Sequence, residues 1–157
     1  NGYDKIVPLS FLIKPKPQLE IVKSEGSSTI GGNGELKVYI KNTGEQSAEA
    51  VDVRIIKQYS QPFTIDVRSN YVGEIQPGET AIAVFEIKTT ADATEKEHSL
   101  QLLLRAKGDS DEGDDTIYTF NRRAEYEVSG KAPNYILYGA IIAGIIGILF
   151  LIFKKKK

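Results

Sequence analysis

The sequence contains no cysteine, no tryptophan and no methionine, and its one histidine is His98. Without cysteine neither a disulfide framework nor a thiolate metal site can form, so stability has to come from a packed core. Without tryptophan there is no obvious aromatic platform for carbohydrate. Catalytic parts are equally scarce. Any Ser-His-Asp arrangement would have to use His98, and neither a G-x-S-x-G elbow nor a phosphate-cradling loop is present. Lys96 and Glu97 beside His98 read as a solvated loop at the start of a strand. No N-x-[ST] glycosylation site occurs. The expectation is a non-enzymatic protein with no cofactor.

Lysine and arginine number 20 and aspartate and glutamate 21 in the 157 residues. Setting aside Lys154, Lys155, Lys156 and Lys157 leaves 16 cations against 21 anions, a net of −5. A near-neutral total therefore conceals an acidic body and a basic tip. The acidic body argues against nucleic acid, which selects a basic surface.

The one long hydrophobic run is YILYGAIIAGIIGILFLIF, residues 135–153, with no charge, proline or amide side chain. As a helix it would span about 28 Å, close to the hydrocarbon thickness of a bilayer. A buried core helix of a soluble domain is the other reading of such a run. The four lysines that follow predict a cytoplasmic C-terminus and an exterior N-terminal domain. Tyr135 and Tyr138 suit the outer headgroup layer, and the lysines would add attraction for anionic lipid of roughly 1 kcal/mol each. Gly139, Ala140, Ala143, Gly144 and Gly147 give the helix a small-residue face on which a helix partner or a second copy could pack. The expected organisation is an N-terminal strand and Pro15/Pro17 linker over 1–17, a β-domain over 18–131, a transmembrane helix over 132–153 and a lysine tail over 154–157. A single-pass cell-membrane protein follows, with membrane lipid and other envelope or membrane proteins as partners. An exterior domain must be exported, yet the sequence opens on Asn1 without a leader; a processed or partial chain is expected.

Before the tail, apolar residues alternate in short runs. QLEIVKS (18–24), ELKVYIKN (35–42), AVDVRIIKQ (50–58), FTIDV (63–67), YVGEI (71–75), TAIAVFEIKT (80–89) and HSLQLLLRAK (98–107) predict strands. DTIYTFNRRAEYEVSG (115–130) predicts one long strand, or two with a bulge. Inward faces should carry Leu36, Val38 and Ile40; Val51, Val53 and Ile55; Ala81, Ala83, Phe85 and Ile87; and Leu100, Leu102, Leu104 and Ala106. Period-two alternation with one polar face is the mark of antiparallel sheets. GGNGE (31–35), NTGE (42–45) and QPGE (76–79) supply turn chemistry, Pro77 and Gly78 fitting the centre of a type II turn. Strands at this spacing predict a two-sheet Greek-key sandwich, all-β and immunoglobulin-like.

The motifs carry a resemblance. Asn42-Thr43-Gly44 ending one strand, Ile75 before the Pro77-Gly78-Glu79 turn, Phe85 in the strand after it, and an acidic Gly turn after residue 107 resemble archaeal S-layer-domain-like proteins. They are also similar to the CARDB family, cell-adhesion-related immunoglobulin-like sandwiches. The likeness covers residues ~18–130, with Ile75 where leucine is usual. It implies a sandwich in an archaeal cell envelope, often with a C-terminal membrane helix, and no catalytic residues.

Residues 1–21 also resemble residues 112–136, each running from a polar turn through alternating residues to a Lys/Pro hinge. Residues 1–14 are therefore expected to close an upstream unit, or to be an ordinary edge strand with Pro8. The loop GDSDEGDD (108–115) gathers Asp109, Asp111, Glu112, Asp114 and Asp115, residue types that suit calcium. Its spacing breaks the EF-hand pattern, with Asp114 at the glycine position and Phe120 at the bidentate glutamate position. A solvated acidic loop is the plainer reading, and Asp109, Asp111, Asp114 and Asp115 remain the candidate ligands. Glu45, Glu49, Arg122, Arg123, Glu125 and Glu127 read as outward charges. Tyr39, Tyr59, Tyr71 and Tyr118 read as sheet residues or as part of a protein interface.

Overall fold

A computed structural model of the chain describes residues 14–130. Eight strands run through them: β1 (Leu19–Thr29), β2 (Asn33–Asn42), β3 (Ala48–Ile55), β4 (Phe63–Thr64), β5 (Ser69–Ile75), β6 (Thr80–Thr89), β7 (Lys96–Lys107) and β8 (Ile117–Ser129). The last is one unbroken strand. Alternation produces them as expected: the inward sets of β2, β3 and β7 are all buried, and in β6 Ala83, Phe85 and Ile87 are buried while Ala81 is half-buried.

The sheet differs from two separate antiparallel layers in one respect. All eight strands form a continuous hydrogen-bonded order, β4-β6-β2-β1-β8-β7-β3-β5. The link is β1, which changes partner at Ser27: residues 19–27 pair antiparallel with β2, and residues 27–29 pair parallel with β8. Where β1 has parted from β8, Arg122 spans the gap. Its Nε donates to the Leu19 carbonyl at 3.1 Å and its Nη2 to Glu20 at 2.8 Å. Arg122 is thus a half-buried staple between strands rather than an outward charge. The sheet curls so that its two halves bury a single core. Tyr126 from β8 and Phe85 from β6 are among its largest fully buried side chains.

Two bulges break the alternation. In β1 the register slips between Ile21 and Lys23, and Val22 is left exposed. In β3 it slips between Ala48 and Asp52, and Ala50 adopts a φ of 49°, unusual for a residue with a side chain.

Strand directions give the domain two unlike ends. The N-terminal entry, the β2–β3 and β5–β6 connections and the acidic β7–β8 loop share one end. The β1–β2 turn, the β3–β4–β5 connection, the β6–β7 loop and the exit of β8 share the other.

Candidate functional site

At the entry end the two family motifs meet on one side chain. Asn42 is fully buried. Its Nδ2 donates to the carbonyls of Gln46 (2.8 Å) and Ile75 (2.9 Å), and its Oδ1 accepts from the amides of Gln18 (3.2 Å) and Gly44 (3.0 Å). Its own backbone accepts from Gly78 N at 2.8 Å and donates to Glu79 O at 3.0 Å. Every hydrogen-bonding group of the residue is therefore used. Gly44 lies so close to the Lys16–Gln18 backbone that a Cβ would collide with it. Gly78 holds a φ of 81° in a turn closed by Glu79 N to Gln76 O at 3.0 Å, the type II geometry expected of Pro77-Gly78. Asn-Thr-Gly and Pro-Gly-Glu are one structural joint, far apart in sequence and in contact in space.

The acidic loop sits beside that joint, tied to it by Gln46 Nε2 donating to Glu112 at 3.3 Å. Four of its five carboxylates, all but that of Asp111, are turned to local partners. Asp109 Oδ1 accepts from the amides of Asp111 (2.9 Å) and Glu112 (3.2 Å), and Asp114 accepts from Thr116 N (3.0 Å) and the Tyr118 hydroxyl (2.8 Å). Asp115 pairs with Lys107 at 2.6 Å. Glu49 of β3 takes both the amide and the hydroxyl of Ser110, at 3.0 and 2.6 Å. Hydrogen bonds from Thr116 and Tyr118 hold the Asp114 carboxyl below its ordinary value, and those from Ser110 do the same for Glu49. The candidate ligands Asp109, Asp111, Asp114 and Asp115 share the loop but do not converge. Among the described residues no group of three or more His, Asp or Glu side chains is placed to hold a metal ion.

His98 corrects its sequence reading. The strand β7 begins at Lys96, so His98 already lies on its inward face and is buried. The ring packs edge-on against Phe63 with centroids 5.0 Å apart, and its Nε2 lies 3.4 Å from the Thr94 carbonyl. It is a core aromatic rather than a solvated one. Phe63 in turn meets Tyr126 edge-on at 5.5 Å. The Tyr126 hydroxyl is buried with no hydrogen-bond partner among the described residues. Burial pushes its phenol above the ordinary value; the nearby Ser28 hydroxyl, outside hydrogen-bond geometry, opposes this only in part.

The exit end is different in character. Its β3–β4–β5 connection borders three depressions, of about 290, 520 and 690 Å³. Tyr59 borders the two larger ones, facing the β6–β7 loop on one side and Val67 and Arg68 on the other. Tyr59 is 94% exposed and Val67 72%. Of the other tyrosines singled out, Tyr71 is exposed, whereas Tyr39 and Tyr118 are half-buried and bonded to Glu25 and Asp114. Exposure of Val67 was not legible in FTIDV, because β4 stops at Thr64 and releases the rest of that run.

The small-residue face Gly139, Ala140, Ala143, Gly144 and Gly147, the lysines 154–157 and the strand expected within residues 1–13 lie outside the described residues. Among the described residues no helix is long and apolar enough to cross a membrane.

An uncharacterized protein of Methanocaldococcus jannaschii is 30% identical over 158 aligned residues, 99% of this chain. The chain spans only 29% of that relative's length. Among solved structures, the CARDB domain of a Pyrococcus furiosus protein, determined in complex with di-metal ions, is 19% identical. It covers 82% of this chain and 99% of its own, with a TM-score of 0.39. The ASH/PapD-like domain 7 of human CEP192 is 13% identical over 82% of this chain and 100% of its own, with a TM-score of 0.38. The CARDB family model matches residues 16–117, well over half of the chain, taking in β1 to β7 and stopping at the first residue of β8. The chain belongs to the CARDB family.

Proposed function

We propose that this is a non-enzymatic, membrane-anchored CARDB domain displayed outside the cell as an interaction module of the envelope, in the manner of a surface-layer component. One observation carries the reading: β8 leaves the sandwich at Ser129 and, a few residues on, the sequence enters an uncharged run of bilayer length capped by four lysines. Anchoring would act by position, confining the domain to the surface and raising its effective concentration for neighbours. The entry end, with its ordered acidic loop, is the face turned toward those neighbours.

The cysteine-free sequence makes the test direct. Ser110→Cys and Lys157→Cys are introduced singly and intact cells are treated with a membrane-impermeant maleimide. Labelling at position 110 and not at 157, with the chain retained in carbonate-washed membranes, is the expected result. Equal labelling, or release of the chain by carbonate, would overturn it. The small-residue face at 139–147 favours a second reading, an accessory subunit docked through its helix onto a transporter, translocon or secretion complex. Native purification separates the two, since an accessory subunit co-purifies with polytopic proteins.

A further inference from the structure

We propose that the exit end of the sandwich, through Tyr59 and Val67, docks on the lipid headgroup surface, so that the domain stands on the bilayer with its acidic loop outward. The proposal rests on the anchor reading and adds an orientation and a contact to it.

The first support is tether length. From Gly130 to Tyr135 there are five Cα steps, no more than about 18 Å even when fully extended. A domain whose exit lies that close to a bilayer must bring the neighbouring loops of the same end near it as well. Those loops are fixed by hydrogen bonds around the exit. Ile30 N donates to Ser129 O at 3.2 Å, Gly31 N to Thr90 O at 3.3 Å, and Thr90 N to Pro62 O at 3.0 Å. Tyr59, three residues before Pro62, therefore belongs to the surface that the exit holds down.

Chemistry is the second support. Tyr59 and Val67 are the two most exposed large hydrophobic side chains among the described residues. Lys57 lies over the Tyr59 ring at 5.5 Å, and Arg68 adjoins Val67. Among the described residues neither cation is in a salt bridge, whereas the nearby Asp66 is neutralised by Lys88 at 2.6 Å. An amphipathic ring flanked by free cations is the side-chain set favoured at headgroup level.

The third support is where the acid lies. The exit end is not free of acid, but its Asp66, Asp92, Glu95 and Glu97 stand against Lys57, Arg68, Lys88 and Lys96, whereas Glu45, Glu79 and all five carboxylates of the β7–β8 loop sit at the entry end. Along β8 that end is about 40 Å from the exit, several Debye lengths at physiological salt. Repulsion from anionic headgroups is thereby least when the exit end faces the membrane.

The test uses the full chain reconstituted into vesicles containing a headgroup-nitroxide lipid, with a fluorophore on a single cysteine from Ser60→Cys or Asp111→Cys. Quenching at position 60 should exceed that at 111 severalfold, and adding Tyr59→Ser with Val67→Ser should reduce it. Equal quenching at the two positions would overturn the orientation. Quenching at 60 unchanged by the double substitution would overturn the contact and leave only a short tether. If the chain fails to float with the vesicles, the anchor reading itself is wrong and the docking falls with it.

Discussion

Removing the Asn42 side chain tests the joint between the two family motifs. In Asn42→Ala, the Gln46 and Ile75 carbonyls lose their donor in a buried setting, and the Gln18 and Gly44 amides lose their acceptor in a half-buried one. A stranded buried group costs about 1–3 kcal/mol, and half-buried amides recover part of that from water. The sum is about 3–5 kcal/mol, a large share of the ~5–15 kcal/mol that holds a domain of this kind together. In urea the midpoint should fall by about 2–3 M, followed in detergent by far-UV circular dichroism and tyrosine fluorescence. Asn70→Ala is the matched control. Its amide makes a single exposed bond to Val84 O at 3.0 Å, so the loss should stay within about 0.5 kcal/mol. Asn42→Asp sharpens the case, because it keeps the acceptor and turns the donor into a second acceptor facing two carbonyls. Only the protonated carboxyl can donate there, so its pKa rises on folding. Stability of that variant should then decline as pH climbs through and above the ordinary carboxylate range, and recover on acidification. A loss below about 1 kcal/mol in Asn42→Ala, or no difference from Asn70→Ala, would refute the reasoning.

Three further outcomes are expected. Tyr126→Phe removes a buried hydroxyl that makes no hydrogen bond among the described residues, so stability at neutral pH should hold or rise by about 1 kcal/mol. Because the folded phenol keeps its proton above the pH at which the unfolded one releases it, wild-type stability falls as pH passes the ordinary tyrosine value. Tyr126→Phe should flatten that fall in alkaline urea titrations, with Tyr39 and Tyr118 leaving a residue of it. Ala50→Gly relieves a left-handed, exposed alanine and should raise stability by about 0.5–1 kcal/mol, whereas Ala50→Val should lower it; thermal melts decide. In the acidic loop, the depressed Asp114 and Glu49 carboxyls stabilise the loop above the ordinary carboxylate range and lose that contribution as pH falls through their folded values. Protection of the Ser110 and Thr116 amides, taken relative to their intrinsic exchange at each pH, should therefore fall on acidification, while millimolar calcium should produce no heat by calorimetry.

Much of this was written in local pattern. The inward faces of β2, β3 and β7 were legible because alternation is set by the backbone's period of two, whatever the strand pairs with. The Pro77-Gly78 turn was legible because its φ values belong to the residues themselves. His98 was misread because local charges, Lys96 and Glu97, say nothing about the facing strand that brings Phe63 against it. Arg122 was misread for a similar reason: the gap it fills opens only where β1 exchanges β2 for β8.

By itself, then, the amino-acid order determined a cysteine-free chain with an all-β domain over the described residues, its turns and most of its buried faces, since these depend on contacts within a few residues. Tertiary structure alone decided which distant segments meet: Asn42 with the Gly78 turn, Ser110 with Glu49, and the exposed Tyr59 loop with the β6–β7 loop. Those meetings depend on how the sheet curls and on where β1 changes partner, and no local run of residues records either.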